Sequence, residues 1–294
     1  MESILFICMN QGLAGLTVGM IVFFCALGLT LAFGALKIIN LAHGSVFMVG
    51  LYLCFSISRI ISISCGFWIG VLAAVIGTFI VGYIMEIIIL RPIYKRHSLD
   101  QFMITFAATF IFMDLVKIVW GTEYHTILPP PILGGSLNIA GVILPLYNFF
   151  IILLGFITYV LIYCFIEKTL WGVTIRGITV DRDMMSALGT NVTRAYSLTF
   201  SLACGLSGLG GALIGPMTCV APGIDSIVLL ESFIIIVIGG LGSITGAFIG
   251  SILFGLVNSF GILFFPKMAI GFPFILMLVV LLIRPFGLMG KPVK

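Results

Sequence analysis

The residues able to do chemistry in this chain are few, and one stretch gathers many of them. Residues 167–194 read EKTLWGVTIRGITVDRDMMSALGTNVTR and carry Glu167, Lys168, Arg176, Asp181, Arg182, Asp183 and Arg194. That is seven of the 24 charged residues (14 Lys and Arg, 10 Asp and Glu). The stretch also holds Trp171, Val173, Ile175, Ile178, Met184, Met185, Ala187 and Leu188 at spacings that fit short amphipathic helices. Asp181 is placed to cap a helix over 182–188, and Gly189 to end it. The chemistry on offer is recognition: an apolar face with charged flanks suits a groove on a partner subunit, or the headgroups of a bilayer.

Catalysis is not on offer. The chain has no glycine-rich phosphate loop ending in GK[ST], no HExxH and no GxSxG. No enzyme activity, cofactor or metal is therefore expected of it. The cysteines (Cys8, Cys25, Cys54, Cys65, Cys164, Cys204, Cys219) form no CxxC and read as small apolar residues.

The remaining polar residues lie within apolar surroundings. Asp114 and Lys117, three apart on one helix face, can pair with each other. Glu86, one turn before Arg91, reads as facing the cytoplasmic headgroups, and Lys37 as snorkelling from a helix end. Glu231, in SIVLLESFIIIVIGG, is open to three readings: an interfacial carboxylate, a partner for a basic residue of a second subunit, or a group that meets cargo. His43 beside Gly44 could serve a proton relay, but no acid is close in sequence, so it reads as structural or path-lining, donating a hydrogen bond across a helix break, with Asn40 capping the helix that follows.

The elements that position these residues are membrane spans. The composition is 61% hydrophobic and only 8% charged, with a mean hydropathy of +1.32. A soluble fold of this size carries roughly 25% charged residues, and its surface needs polar cover that this chain lacks. The net charge of +4 is small and spread over loops, which argues against a nucleic-acid partner. Apolar runs predict an all-α polytopic bundle with spans over 11–34, 40–60, 66–90, 100–120, 142–166, 195–217, 227–241, 245–264 and 268–284. The run 227–241 is the shortest, so the count is eight or nine. No basic stretch precedes the first run, which is expected to stay as a span.

Lys and Arg set the orientation. The segment from Arg91 to Arg96, the segment 167–194 and the tail with Arg284, Lys291 and Lys294 are basic and are placed in the cytoplasm. Nine crossings then put the N-terminus outside and eight put it inside. Two glycine-rich interruptions stand out: GALKIINLAHGSVFMVG (Gly34 to Gly50) and GGLGSITGAFIG (Gly239 to Gly250). Each reads either as a broken helix beside a transport path or as close helix packing through small residues.

A family resemblance sharpens this picture. GVTIRGITVDRDMMSALGTNVTRAYSLTF resembles the coupling loop of ABC importer permeases of the branched-chain amino acid type, with Arg176, Asp181, Ala187 and Gly189 in the matching order. Met184 and Met185 stand where that family usually has small residues. The run from Ala26 to Leu53, with Asn40, Ala42, His43 and Gly44, is similar to the first-half signature of LivH-type permeases. The run from Ile236 to Gly255 is similar to their second-half signature, and RPIY and RPFGLMGK also fit. Glu231 departs from the pattern, because the first-half permease usually has Lys there.

The resemblance implies a single transmembrane permease domain over 1–294, in the plasma membrane of a bacterium or archaeon, with a cytoplasmic coupling loop at 167–194. It implies as partners a second homologous permease, two ATP-binding subunits and an extracytoplasmic substrate-binding protein. The implied cargo is leucine, isoleucine, valine or a similar amino acid. A urea or short-chain amide importer shares the pattern, and a stand-alone channel or secondary transporter is the rival from another class. The expected path is lined by Asn40, His43, Gly44, Ser45, Glu231, Gly239, Gly240, Gly242 and Ser243.

Overall fold

The computed structural model describes residues 2–38, 40–61, 63–94, 96–139, 142–268 and 271–290. Lys95, Lys291 and Lys294, counted above among the basic residues, lie outside the described residues.

The chain is an all-α bundle with one small hairpin. Its elements are α1 (Glu2–Leu36), α2 (His43–Ile60), α3 (Ile63–Met85), α4 (Ser98–Trp120), α5 (Leu146–Lys168), α6 (Leu170–Val180), α7 (Arg182–Ala187), α8 (Val192–Ile214), α9 (Ile224–Gly239), α10 (Ile244–Phe264) and α11 (Gly271–Ile283). The third helix runs on through a π-helical stretch, Glu86–Leu90, and a 3-10 turn, Arg91–Ile93. Strands β1 (Ser136–Ile139) and β2 (Val142–Pro145) pair antiparallel, with Ser136 opposite Pro145.

Among the described residues, seven helices are long and apolar enough to cross a bilayer: α1 to α5, α8 and α10, with α3 counted through its continuation. Two more expected spans, 227–241 and 268–284, form the shorter helices α9 and α11 of 16 and 13 residues. At 1.5 Å per residue these reach roughly 24 and 20 Å, less than a typical hydrocarbon core.

The core sits on α1 and α8. Their most apolar windows are 83% and 78% buried, against 17% for α4. The side of α4 that carries Phe102, Phe106, Phe110 and Ile118 is exposed, an apolar face suited to the interior of a bilayer. Small residues let the central helices touch: Gly15 and Gly19 of α1 lie against Gly255 and Ser251 of α10.

The connections sort into two ends. At one end Thr179 Oγ1 donates to Gly34 O at 2.8 Å, and the backbone N–H groups of Leu288 and Met289 donate to Ile238 O and Gly239 O at 2.9 Å. This end gathers the close of α1, the segment after α3, α6 and α7, the α9–α10 turn and the 284–290 segment. It holds Arg91, Arg176, Arg182, Arg194 and Arg284, so the positive-inside rule makes it cytoplasmic. At the other end His125 and Val220 exchange backbone hydrogen bonds of 3.0 and 2.8 Å. Among the described residues, with α9 and α11 counted, nine helices run between these ends, and α1 begins at the end opposite the arginines.

Candidate functional site

The polar segment 167–194 is an ordered helical pair at the cytoplasmic end. The Thr169 hydroxyl accepts from Gly172 N at 3.2 Å and caps α6. Asp181 Oδ1 accepts from Met184 N at 2.9 Å and caps α7, as its position in the sequence predicts. Gly189 ends that turn with φ +83, a left-handed conformation that disfavours any residue with a Cβ.

The four matched residues of this segment have different tasks. Asp181, Ala187 and Gly189 lie on the exposed side of the α7 turn. Arg176 reaches back along the surface: its guanidinium donates to Ile166 O and pairs with Glu167 Oε2 at 3.3 Å, joining α6 to the end of α5. One side of α7 is anchored, with Met185 against Gly177 and in a cluster with Ile178, Val192, Ala195 and Tyr196. The other side is free, leaving Met184 59% and Leu188 73% exposed.

The structure corrects the position of Glu86. It does not face headgroups but is fully buried at the start of the π-helical stretch. Its Oε2 accepts from Arg91 Nη2 at 2.8 Å and from Ser197 Oγ at 2.7 Å, and its Oε1 accepts from Tyr94 OH at 2.6 Å. Full pairing is what makes a carboxylate tolerable there. Burial pushes the Tyr94 hydroxyl well above its ordinary pKa, and the hydrogen bond to Glu86 pushes it the same way.

The first glycine-rich interruption is a true break. After α1 ends at Leu36, Lys37 adopts φ 56 and the chain turns back into the bundle. It enters far enough that His43, the first residue of α2, lies beside Gly28 of α1. A Cβ on Gly28 would sit 2.6 Å from His43 Nε2. Asn40, His43 and Ser45 are all buried. Non-helical backbone at this depth survives because protein surrounds it.

Asn40 Oδ1 accepts from Ala42 N at 3.1 Å, so it shapes the turn before α2, and Ala42 itself takes the cap position. His43 departs from the expected hydrogen bond across the break. Its ring nitrogens have no hydrogen-bond partner among the described residues, while its carbonyl accepts from Ser207 Oγ at 3.2 Å.

Sequence reasoning overlooked the group that faces this break. Asp225, in the first turn of α9, is 2% exposed and its Oδ2 accepts from Ser45 Oγ at 3.1 Å. Gly44 packs directly on the Asp225 carbonyl, with no room for a Cβ. A carboxylate beside the first turn of α2 is favoured by the helix dipole. The only signal in the sequence was an acid at the edge of an apolar run, with nothing to say what it would meet.

Glu231 lies two turns further along α9. It borders a crevice of about 300 Å³ whose other walls include Val18, Ile21, Val22, Ile224 and Val228. Among the described residues its carboxylate has no hydrogen-bond or ion-pair partner. The second glycine-rich run differs from the first. Gly240 and Gly242, with φ +101 and +81, make the cytoplasmic turn between α9 and α10, and Ser243 caps α10 through Gly246 N at 3.0 Å. It is a connection between two helices, packed against Gly287 and Gly290, and not an interruption within one. Asp114 and Lys117 pair at 3.4 Å, as their spacing predicts.

Comparison with known proteins gives a consistent picture. A family model described as the branched-chain amino acid transport system permease component matches residues 12–281. The chain is 28% identical to the high-affinity branched-chain amino acid transport system permease protein BraD of Pseudomonas aeruginosa, covering 97% of this chain and 96% of that one. It is 27% identical to the permease protein LivH of Escherichia coli, with the same coverage. It is also 29% identical to the probable permease protein LivH of Methanocaldococcus jannaschii, over 90% of this chain and 87% of that one. No solved structure matches.

Proposed function

The chain belongs to the branched-chain amino acid transport permease family, and from that membership we propose how its parts divide the work of an importer. It is a multi-pass membrane subunit of an ABC import system. We read its cargo as branched-chain amino acids, after the names of its relatives. The whole of 1–294 is read as one permease domain, working with a second homologous permease, two ATP-binding subunits and an extracytoplasmic binding protein. ATP hydrolysis belongs to the ATP-binding subunits.

The observation that carries this reading is the two-sidedness of α7. A six-residue helix at the cytoplasmic end, packed on one side, offers Met184 and, at its C-terminal cap, Leu188 to solvent, with the exposed Asp181 and Asp183 at its start. Exposed apolar residues rimmed by charge mark a protein-docking surface. In this reading Asp181, Ala187 and Gly189 shape the surface that meets an ATP-binding subunit, and Arg176 braces it from behind.

The path is read as running past the break at Asn40, His43, Gly44 and Ser45 and past Glu231. The turn at Gly239, Gly240, Gly242 and Ser243 closes it at the cytoplasmic end. The Glu231 crevice suits an apolar amino acid, offering aliphatic walls to the side chain and a carboxylate to the ammonium group. Alternating access would part α2 from α9 beside the break, since only rearrangement gives the His43 ring nitrogens and Asp225 Oδ1 polar partners.

The experiment is affinity purification of the tagged chain from membranes in mild detergent. Co-purifying ATP-binding subunits, lost when Met184 and Leu188 become serine, support the reading. A lone chain that conducts cargo passively once reconstituted would replace it with a channel.

A further inference from the structure

We propose that Arg182 is a positioning residue that links α7 to the buried Glu86 through Tyr94, so that displacement of α7 is carried into the membrane at the π-helical stretch of the third helix. This rests on reading 167–194 as the segment that docks the ATP-binding subunits.

Arg182 is on the anchored side of α7. Its guanidinium carbon lies 5.8 Å from the centroid of the Tyr94 ring and 5.4 Å from that of Tyr196. The two rings sit 5.4 Å apart at 70°, edge to face. Both distances to the cation fall within the range of a cation–π contact. Among the described residues Arg182 makes no ion pair, although Asp181 and Asp183 flank it. The rings are therefore its principal attachment, and they belong to different elements: Tyr94 to the segment after α3, Tyr196 to α8.

Tyr94 continues the line inward. Its hydroxyl donates to Glu86 Oε1 at 2.6 Å, while Glu86 Oε2 takes Arg91 and Ser197. The carboxylate is at once the anchor of Tyr94, a partner for α8 and the first residue of the π-helical stretch. Such stretches are less regular than the α-helix around them and frequently sit at functional sites.

A fully paired buried carboxylate resists losing any one partner, because the loss leaves a desolvated polar atom behind. Pulling on Tyr94 therefore moves Glu86 and its neighbours together instead of breaking one hydrogen bond. A push on the exposed side of α7 has, in this geometry, a continuous route of named contacts to two transmembrane helices.

The test uses the whole importer reconstituted in proteoliposomes, with cargo uptake and ATP hydrolysis measured together at saturating loaded binding protein. For Arg182→Ala we expect ATP-binding subunits to co-purify as in the wild type and basal hydrolysis to stay within twofold. Cargo moved per ATP should fall at least fivefold. Arg182→Lys, which keeps a cation over the rings, should recover most of that ratio. Tyr94→Phe keeps both rings and removes only the link to Glu86, and it should lower the ratio as Arg182→Ala does.

A wild-type ratio in both Arg182→Ala and Tyr94→Phe overturns the proposal. Uptake and hydrolysis falling in proportion overturns it too, since that marks a static staple. Loss of the ATP-binding subunits in Arg182→Ala alone would make Arg182 a docking contact, overturning the relay while leaving the docking reading intact. Wild-type membranes that yield no ATP-binding subunits remove both readings. If Arg182→Ala does not accumulate, the Tyr94→Phe ratio decides.

Discussion

The hydroxyl of Ser45 donates a 3.1 Å hydrogen bond to the carboxylate of Asp225, tying the first turn of α2 to the first turn of α9 inside the bundle. Ala42, at the cap position of α2, makes no side-chain cap hydrogen bond, and the Asp225 carboxylate stands beside that helix start bonded to the Ser45 hydroxyl. The contact fastens the start of α2 to α9, just after the chain breaks between α1 and α2.

Asp225→Ala is expected to lower stability by about 1–3 kcal/mol, the cost of stranding a buried donor and removing the acid from a helix start. Asp225→Asn keeps an acceptor for Ser45 and should lose less. Thermal unfolding in detergent measures the difference, and equal melting temperatures for Asp225→Ala and the wild type would contradict the assignment.

Glu86→Ala leaves Arg91, Tyr94 and Ser197 without their common acceptor. Breaking a buried ion pair typically costs about 3–5 kcal/mol. The lower end applies here, because the Arg91 side chain is 39% exposed and can reach water. The expected result is a large fall in folded protein recovered from membranes, with Ser197→Ala losing far less. Recovery of Glu86→Ala at wild-type levels would show that the carboxylate is not the anchor.

At Gly189 any side chain meets a left-handed backbone, at a cost of about 1–2 kcal/mol for the turn, although the surrounding space is open. Gly189→Arg adds bulk and charge on the proposed docking side. It should abolish stimulation of ATP hydrolysis by loaded binding protein, with Gly189→Ala intermediate. Stimulation retained in Gly189→Arg would remove this turn from the docking surface.

His43→Ala should reduce uptake while leaving the ATP-binding subunits attached, since His43 is buried in the break and remote from α7 in the chain. Uptake assays and co-purification from the same membranes check this. Unchanged uptake would make the imidazole a packing residue only.

The local features of the segment 167–194 were legible in the sequence. Asp181 and Gly189 bracket a short apolar stretch, and capping is decided within a few residues, so α7 appeared where its boundaries predicted. The break after Lys37 was legible for the same reason. Glu86 was misread because its burial depends on Ser197, 111 positions away, and on the packing of α3 against α8. Asp225 went unnoticed because Ser45 lies 180 positions away. The second glycine-rich run looked like the first, because composition records the flexibility of a segment and not whether the helices on either side continue or fold back.

The central claim, that this permease moves amino acids by coupling α7 to ATP-binding subunits, is tested most directly by radiolabelled leucine, isoleucine and valine uptake. The assay uses proteoliposomes holding the complete complex, with ATP supplied on the side that carries α7. Uptake that requires both ATP and loaded binding protein, and that disappears in the Met184→Ser, Leu188→Ser double variant, is the predicted result. Cargo movement by this chain alone, without ATP and unaffected by that variant, would contradict it.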